Sequence, residues 1–262
     1  MPIVDVHAHL GEDQIFEYEF TREELLQGQT ANGVTATIVQ PASVTDLTTV
    51  RAQHDAIAAL AAEFPGRFFG MANPNPRLPE ADYFAEVRRC VRELSFVGLK
   101  LHTLAHATSP TSRAGRRAFE AARALGVPLM IHTGSGIPWA APALIAPVAQ
   151  EFPDVRVVIA HSGMMVLAAE ALIVAQACPN VVLETSWTGG PHVRRFVRSL
   201  GADRVVFGSD HGDNVATELT KHRTIGLTDA ELARVLGDTA IEVYGLKDGL
   251  AVAGGALHAP RR

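Results

Sequence analysis

The chain has 262 residues, is 47% hydrophobic and 19% charged, and carries a formal net charge of −5 with a pI near 6.1. That balance suits a globular protein with a sizeable core, and the lack of a basic surface argues against nucleic acid as a partner. No apolar run reaches the roughly 18 residues of a membrane span, and the first residues lack the basic-then-apolar pattern of a signal peptide.

In chain order, the first element is a strand at 3–9, IVDVHAH. Strand side chains alternate between faces, so His7 and His9 are expected to share one with Asp5 and Ile3, leaving Val4, Val6 and Ala8 on the other. Alone, such a His-x-His pair is more often two hydrogen-bonded structural imidazoles than a metal site, although convergent imidazoles are what zinc takes. A long connection over 10–20 follows. Short apolar, β-branched runs then predict strands at 34–40, 67–73, 96–102, 127–133, 155–161, 180–186 and 203–209. Between them, helical patterns occupy 51–64, 79–94, 114–125, 141–151 and 163–177, with stops at Gly33, Pro65, Gly126, Pro153 and Pro179. Met164, Met165 and the aliphatic run to Cys178 read as a helix core face. Two more long connections, 103–113 and 211–227, also follow carboxyl ends of strands.

Eight strands alternating with helices require crossovers and hence a parallel sheet, and eight is the number that closes a (β/α)8 TIM barrel. The expected organisation is a single α/β domain over 1–247 and a tail over 248–262 with no assigned chemistry. Cys90 and Cys178 read as buried free thiols of a reducing, cytoplasmic setting.

Metal-type donors recur at the strand ends. His7 and His9 end the first strand, Lys100 and His102 the fourth, His132 the fifth and His161 the sixth, while Asp210 closes the eighth. Singly, His132 or His161 reads as a core histidine and Asp210 as a turn or helix cap. Together, on the rim where barrel enzymes build their sites, they read as a metal centre. Lys100 stands out because the chain has only three lysines against twenty arginines. A lysine inside a strand loses hydration, so it is either neutral or carbamylated, or else paired with Asp5, Glu184 or Asp210. His211, beside Asp210, is placed to touch substrate, whereas His54, His106, His192, His222 and His258 are expected in solvent. Neither a G-x-S-x-G elbow nor a Walker A sequence occurs.

The ordered set DVHAH, GLKLH, IHTG, AHSG and FGSDH resembles the amidohydrolase superfamily of metal-dependent hydrolases, over about Ile3 to Leu246. More narrowly, it is similar to the branch holding small-substrate hydrolases, lactonases and aminocarboxymuconate-semialdehyde-type decarboxylases. The resemblance implies metal ligation by His7, His9, His132 and Asp210. His161 matches the family histidine that binds a second metal or orients water, and Lys100 the lysine that is carbamylated in binuclear members. One or two divalent ions are thus implied, zinc first, with manganese or iron compatible with the same donors. Thr103 replaces a common proline after GLKLH, and Gly212 follows FGSDH, which leaves the substrate-facing loops unassigned.

The first functional expectation is a hydrolase that turns an activated water on an amide, lactone or ester, with Asp210 accepting the proton and His161 steadying the oxyanion. The alternative is a non-oxidative decarboxylase (a lyase) of a small aromatic or enol acid, for which Arg113, His102, Trp139 and Trp187 offer cations or aromatic walls. A non-catalytic metal scaffold is disfavoured, since a closed structural site has no use for the base Asp210. The substrate is expected to be a small molecule contacted by His102, Trp187 and His211, and a homodimer is compatible with the sequence.

Overall fold

A computed structural model describes residues 1–250 apart from Ser135 and Asp248. The expected tail therefore lies outside the described residues, except for Gly249 and Leu250. All eight expected strands form, and a ninth joins them. The first, β1 (Val4–Asp13), is followed by a short β2 (Tyr18–Phe20) and then by β3 (Ala36–Pro41), β4 (Phe68–Ala72) and β5 (Gly98–Leu101). The series continues with β6 (Leu129–His132), β7 (Val157–Ala160), β8 (Val181–Glu184) and β9 (Val205–Val206). The sheet order is β2-β1-β3-β4-β5-β6-β7-β8-β9, with every neighbouring pair from β1–β3 onward parallel. The sheet curls, and β1 exchanges hydrogen bonds with the segment after β9: Val6 N–H donates to Phe207 O at 3.2 Å, and Asp210 N–H to His7 O at 2.7 Å.

Two faces of this sheet hold different cores. Leu99, Leu101, Leu129, Ile131, Val157, Ile159 and Leu183 pack outward against the crossover helices, as the alternation predicts. Inward lie Val4, Val6, Met71, Met130, Val158, Val182 and Val206, in one cluster with Ala240 and Tyr244 of the last helix, α10 (Thr239–Tyr244). A one-residue slip would exchange these faces, at about 1.5–3 kcal/mol for each large side chain exposed.

β1 breaks the simple alternation. Its pairing with β3 runs Val4↔Ala36 and Asp5↔Thr37, then resumes at Ala8↔Val39, so an extra residue bulges between Asp5 and Ala8. The bulge reverses the parity. Val4 and Val6 share the inner face ahead of it, and Asp5 points outward to Gln29 of α1 (Arg22–Ala31) at 2.8 Å. Asp5 thus lies away from the histidines, contrary to the plain alternation, and cannot be the counter-ion of Lys100.

Other departures have local causes. Residues 10–20 are a hairpin, not an irregular loop: β1 runs on to Asp13, whose carboxylate accepts the Ile15, Phe16 and Ser43 N–H groups and sets the turn into β2. Segment 211–227 contains α8 (Val215–Thr224), held by its buried face of Val215, Glu218, Leu219 and His222. Met164 and Met165 precede α6 (Ala168–Ala177) in a turn, and Met165 is exposed, so the core face begins only at Ala168. His54, His106 and His222 are buried instead of solvated.

His54 shows why. It lies on α2 (Leu47–Glu63), where its Nδ1–H donates to Glu86 of α3 (Glu80–Arg92) at 2.8 Å and its Nε2 accepts the Asn73 N–H at 3.1 Å. Glu86 is fully buried and also accepts from Arg51 at 2.6 Å and from Arg89 at 2.8 and 3.0 Å. Burial raises the Glu86 pKa, but these donors outweigh it and hold the carboxyl far below its usual range. Glu86→Gln is expected to lower unfolding stability by about 3 kcal/mol at pH 7, since it strands a buried set of donors. Because the folded pKa is depressed, the Glu86 contribution is complete above its ordinary value of 4.5 and fades as pH falls below it. Urea unfolding should therefore find wild type and variant converging in acid.

Candidate metal centre

Past the bulge, β1 delivers His7 and His9 inward side by side, with ring centroids 5.4 Å apart. β6 ends in His132, the turn after β7 carries His161, and the segment after β9 brings Asp210 back beside β1. Donor atoms of His7, His161 and Asp210 all lie within 4.8 Å of one another. Asp210 Oδ1 is 3.1 Å from His7 Nε2 and 3.3 Å from His9 Nε2. His132 joins through His161, at 3.2 Å between His132 Nδ1 and His161 Nε2. Lys100, buried, reaches His7 Nε2 at 2.9 Å, so its direct partner is an imidazole and not a carboxylate.

The outer nitrogens fix which atoms face inward. His7 Nδ1 contacts Glu184 Oε2 at 3.1 Å, and His9 Nδ1 contacts Pro41 O at 3.0 Å. Both partners are acceptors, so each Nδ1 carries the proton and each Nε2 keeps its lone pair. Ser186 Oγ–H donates to Glu184 Oε2 at 2.9 Å and so accepts from His161 Nδ1–H at 2.7 Å. His161 Nε2 then accepts the His132 Nδ1–H. This chain of donors ends on His132 Nε2, a buried lone pair with no hydrogen-bond partner among the described residues.

Charge follows the same logic. Burial, reinforced by neighbouring imidazoles and the Lys100 ammonium, pushes His7, His102, His132 and His161 well below the usual histidine value, which is the neutral, ligand form. Burial lowers Lys100 to about 8 against the pull of Asp210 and Glu184. Burial raises Glu184 to about 7 and Asp5 to about 6. For Asp210, burial acts upward, but His7, His161 and the His9 contact outweigh it and keep the carboxyl ionised. Two imidazole lone pairs thus face one carboxylate oxygen, and a third stands unpaired nearby. These donors fit a borderline divalent cation.

The rim holds the remaining candidates. Trp187 Nε1–H donates to Asp210 Oδ2 at 2.8 Å, and His211 packs on Trp187 at 5.7 Å. His102 stacks on His132 at 4.5 Å with Phe16 at 6.1 Å, while Tyr18 and Phe20 of the hairpin lie 5.3 and 4.8 Å from His211. Trp187 and Asp210 both have left-handed backbones, φ 59° and 68°, a strained state that tertiary bonds must hold. Trp187 N–H donates to Glu218 Oε1 at 3.0 Å, and Asp210 N–H to His7 O. Gly208 is required too, because a Cβ there would sit 2.4 Å from Glu184 Oε1. Glu218, Ser186 and Gln40, which reaches His9 Nε2 at 3.2 Å, escaped the sequence reading. For Ser186 and Gln40 the available signal was position, a polar residue at the same rim as the histidines; Glu218 gave none.

The amidohydrolase family profile matches residues 4–246. The chain belongs to that family. Among solved structures, this amidohydrolase resembles an uncharacterised TIM-barrel protein from Bordetella bronchiseptica, with a TM-score of 0.77, 17% identity, and 97% and 100% of the two chains covered. It also resembles 5-carboxyvanillate decarboxylase from Sphingomonas paucimobilis, with a TM-score of 0.73, 16% identity, and 93% and 99% covered. A dihydroxybenzoic acid decarboxylase from a Polaromonas species, solved with manganese and the inhibitor 2-nitroresorcinol, gives a TM-score of 0.74, 17% identity, and 94% and 97% covered. No curated protein matches the sequence. At these identities the likeness speaks for the fold.

Replacing both His7 and His9 by Ala is expected to abolish stoichiometric metal binding while leaving the circular dichroism of the fold unchanged. Elemental analysis of protein purified without chelator reads the first, and full metal content in the variant would refute the ligand set.

Proposed function

We propose that this amidohydrolase is a metal-dependent, non-oxidative decarboxylase of a small aromatic or enol carboxylic acid. The aromatic wall over Asp210 carries the reading: Trp187, His211, Tyr18 and Phe20 on one side, Phe16 over His102 on the other. Such a slot takes a flat acid with its carboxylate toward the histidines. The aromatic-acid decarboxylases among its fold neighbours lend support. So does the (β/α)8 closure we infer from the bonds between β1 and the segment after β9, which gathers the donors on one rim.

In this reading His7, His9, His132 and Asp210 hold the ion, with His161 and a carbamylated Lys100 available to a second. Zinc and manganese both suit these donors. When bound, a divalent ion polarises the substrate oxygens or acidifies a water. The protein does the rest. Asp210, ionised at rest, and the neutral His161 are placed to relay a proton from a substrate hydroxyl or solvent to the ring carbon, as its bond to the carboxyl group breaks, CO2 leaves and the bonding pair on carbon takes up that proton. Trp187 N–H ties up Oδ2 of Asp210, which leaves Oδ1 aimed at the imidazoles. Glu184 and Ser186 keep His7 and His161 in one tautomer.

Hydrolysis of an amide, lactone or ester is the second reading, favoured by the base Asp210 flanked by two imidazoles. A panel of dihydroxybenzoates, 5-carboxyvanillate, lactones and amides, assayed with zinc and with manganese, separates the two. CO2 release from an aromatic acid supports the proposal, whereas turnover confined to lactones or amides overturns it. Asp210→Asn is expected to retain metal yet lose at least about 10²-fold in kcat. Trp187→Phe, which keeps the ring and removes the N–H, should lose about tenfold, the worth of one charge-assisted bond.

A further inference from the structure

Three consecutive strand-to-helix connections build a second feature on the same rim. The β4–α3 connection carries Arg77, the β5–α4 connection carries Thr108 and Ser109 and leads into Arg113, and the β6–α5 connection carries Trp139; α4 is Arg113–Leu125 and α5 is Ile145–Glu151. Together with Arg117 they wall a cleft of about 530 Å3.

Its charge is unbalanced. Arg113 and Arg117 share one carboxylate, Glu80, at 3.5 and 3.0 Å. Arg77 is exposed and spends one N–H on Ala107 O at 3.3 Å. Three guanidinium groups therefore face a single acid in a chain whose net charge is −5. Arg117 is pinned by Pro76 O and Leu78 O at 3.0 and 3.1 Å, and its Nε–H is buried with no partner among the described residues. Arg113 is 87% exposed. Trp139 supplies a flat, partly exposed apolar wall beside them. A guanidinium fork matches a carboxylate in two parallel hydrogen bonds, and an indole face matches a planar body.

We propose that this cleft is a binding site for planar organic carboxylates, separate from the histidine cluster, in which Arg77 and Arg113 grip the carboxylate and Trp139 stacks on the body. Its placement beside the His102 loop makes it a collecting point for the acid consumed at the centre; only that identity of the natural ligand rests on the decarboxylase reading. Positive potential at the rim of an acidic protein raises the local concentration of an anionic substrate.

The test uses benzoate as probe and needs no turnover. The chain has two tryptophans, so Trp187→Phe leaves Trp139 as the single indole reporter. Benzoate is expected to change Trp139 emission saturably, in protein with its metal and in protein stripped by chelator alike. Adding Arg77→Gln and Arg113→Gln should weaken binding at least about tenfold, with unchanged circular dichroism. Inorganic phosphate should compete weakly. The proposal falls if no saturable change occurs up to the solubility limit of benzoate, if the arginine variant binds as tightly, or if chelation abolishes the signal. Competition by phosphate as strong as by benzoate would overturn the planar specificity. Failure of every acid in the turnover panel would remove the decarboxylase reading and leave this result standing.

Discussion

One extra residue in β1 governs the arrangement of the centre. Without the bulge between Asp5 and Ala8, the face that carries Val4 and Val6 would carry Ala8 next, and both imidazoles would turn toward the helices. With it, a single strand supplies apolar packing at one end of the curled sheet and two inward imidazoles at the other. The displaced Asp5 takes on another task. Its carboxylate accepts the Ser209 N–H at 3.0 Å and the Ser209 hydroxyl at 2.5 Å, and it also accepts from Gln29 and His7 N–H. The residue next to Asp210 is thus fastened to the strand that holds the imidazoles.

Around that fastening, acceptors are set against acceptors. Glu184 and Pro41 O claim the outer protons of His7 and His9, and the inner nitrogens are left facing Asp210. In a protein interior such a cluster is costly unless donors or a cation join it; Lys100 and Gln40 reach the two inner nitrogens, and His132 Nε2 is left without a partner among the described residues. The same burial holds His7, His132 and His161 in the neutral form, the one a cation could use. Trp187 then closes the outer side of Asp210 from a left-handed backbone held by Glu218. Rigid placement of a carboxylate by bonds to both of its flanks is how a site keeps its geometry with little reorganisation.

Much of this was legible in the amino-acid order. The eight parallel strands follow from β-branched runs punctuated by Gly and Pro, and the donors at their tips from simple position. The outward face of FVGLKLH and VPLMIHT held as alternation predicts, with Leu99, Leu101, Leu129 and Ile131 against helices. What failed were features decided by distant partners. The bulge in β1 depends on pairing with β3, and nothing in IVDVHAH marks it. His54 and His222 look like surface histidines on amphipathic helices; Glu86 and Thr185, far away in sequence, make them interior. Helix α1 was readable in principle, since Thr21 and Glu24 form a capping box ahead of it. The choice between splitting a carbon–carbon bond and splitting an ester was not legible, because the same donors serve both. Rings brought together from the β2 hairpin and the segment after β8 tilt that choice, and their meeting is a property of the fold.

The clasp between Asp5 and Ser209 spans 204 positions of the chain. Contacts so remote cost loop-closure entropy that nearer ones do not, and they tend to be made late in folding. During synthesis the N-terminal imidazoles leave the ribosome long before their acid partner exists. A nascent chain would hold a loose pair of nitrogens, open to copper or nickel by affinity alone. Any choice among cations would then await the finished molecule, and the order of translation sets when the cluster can first form.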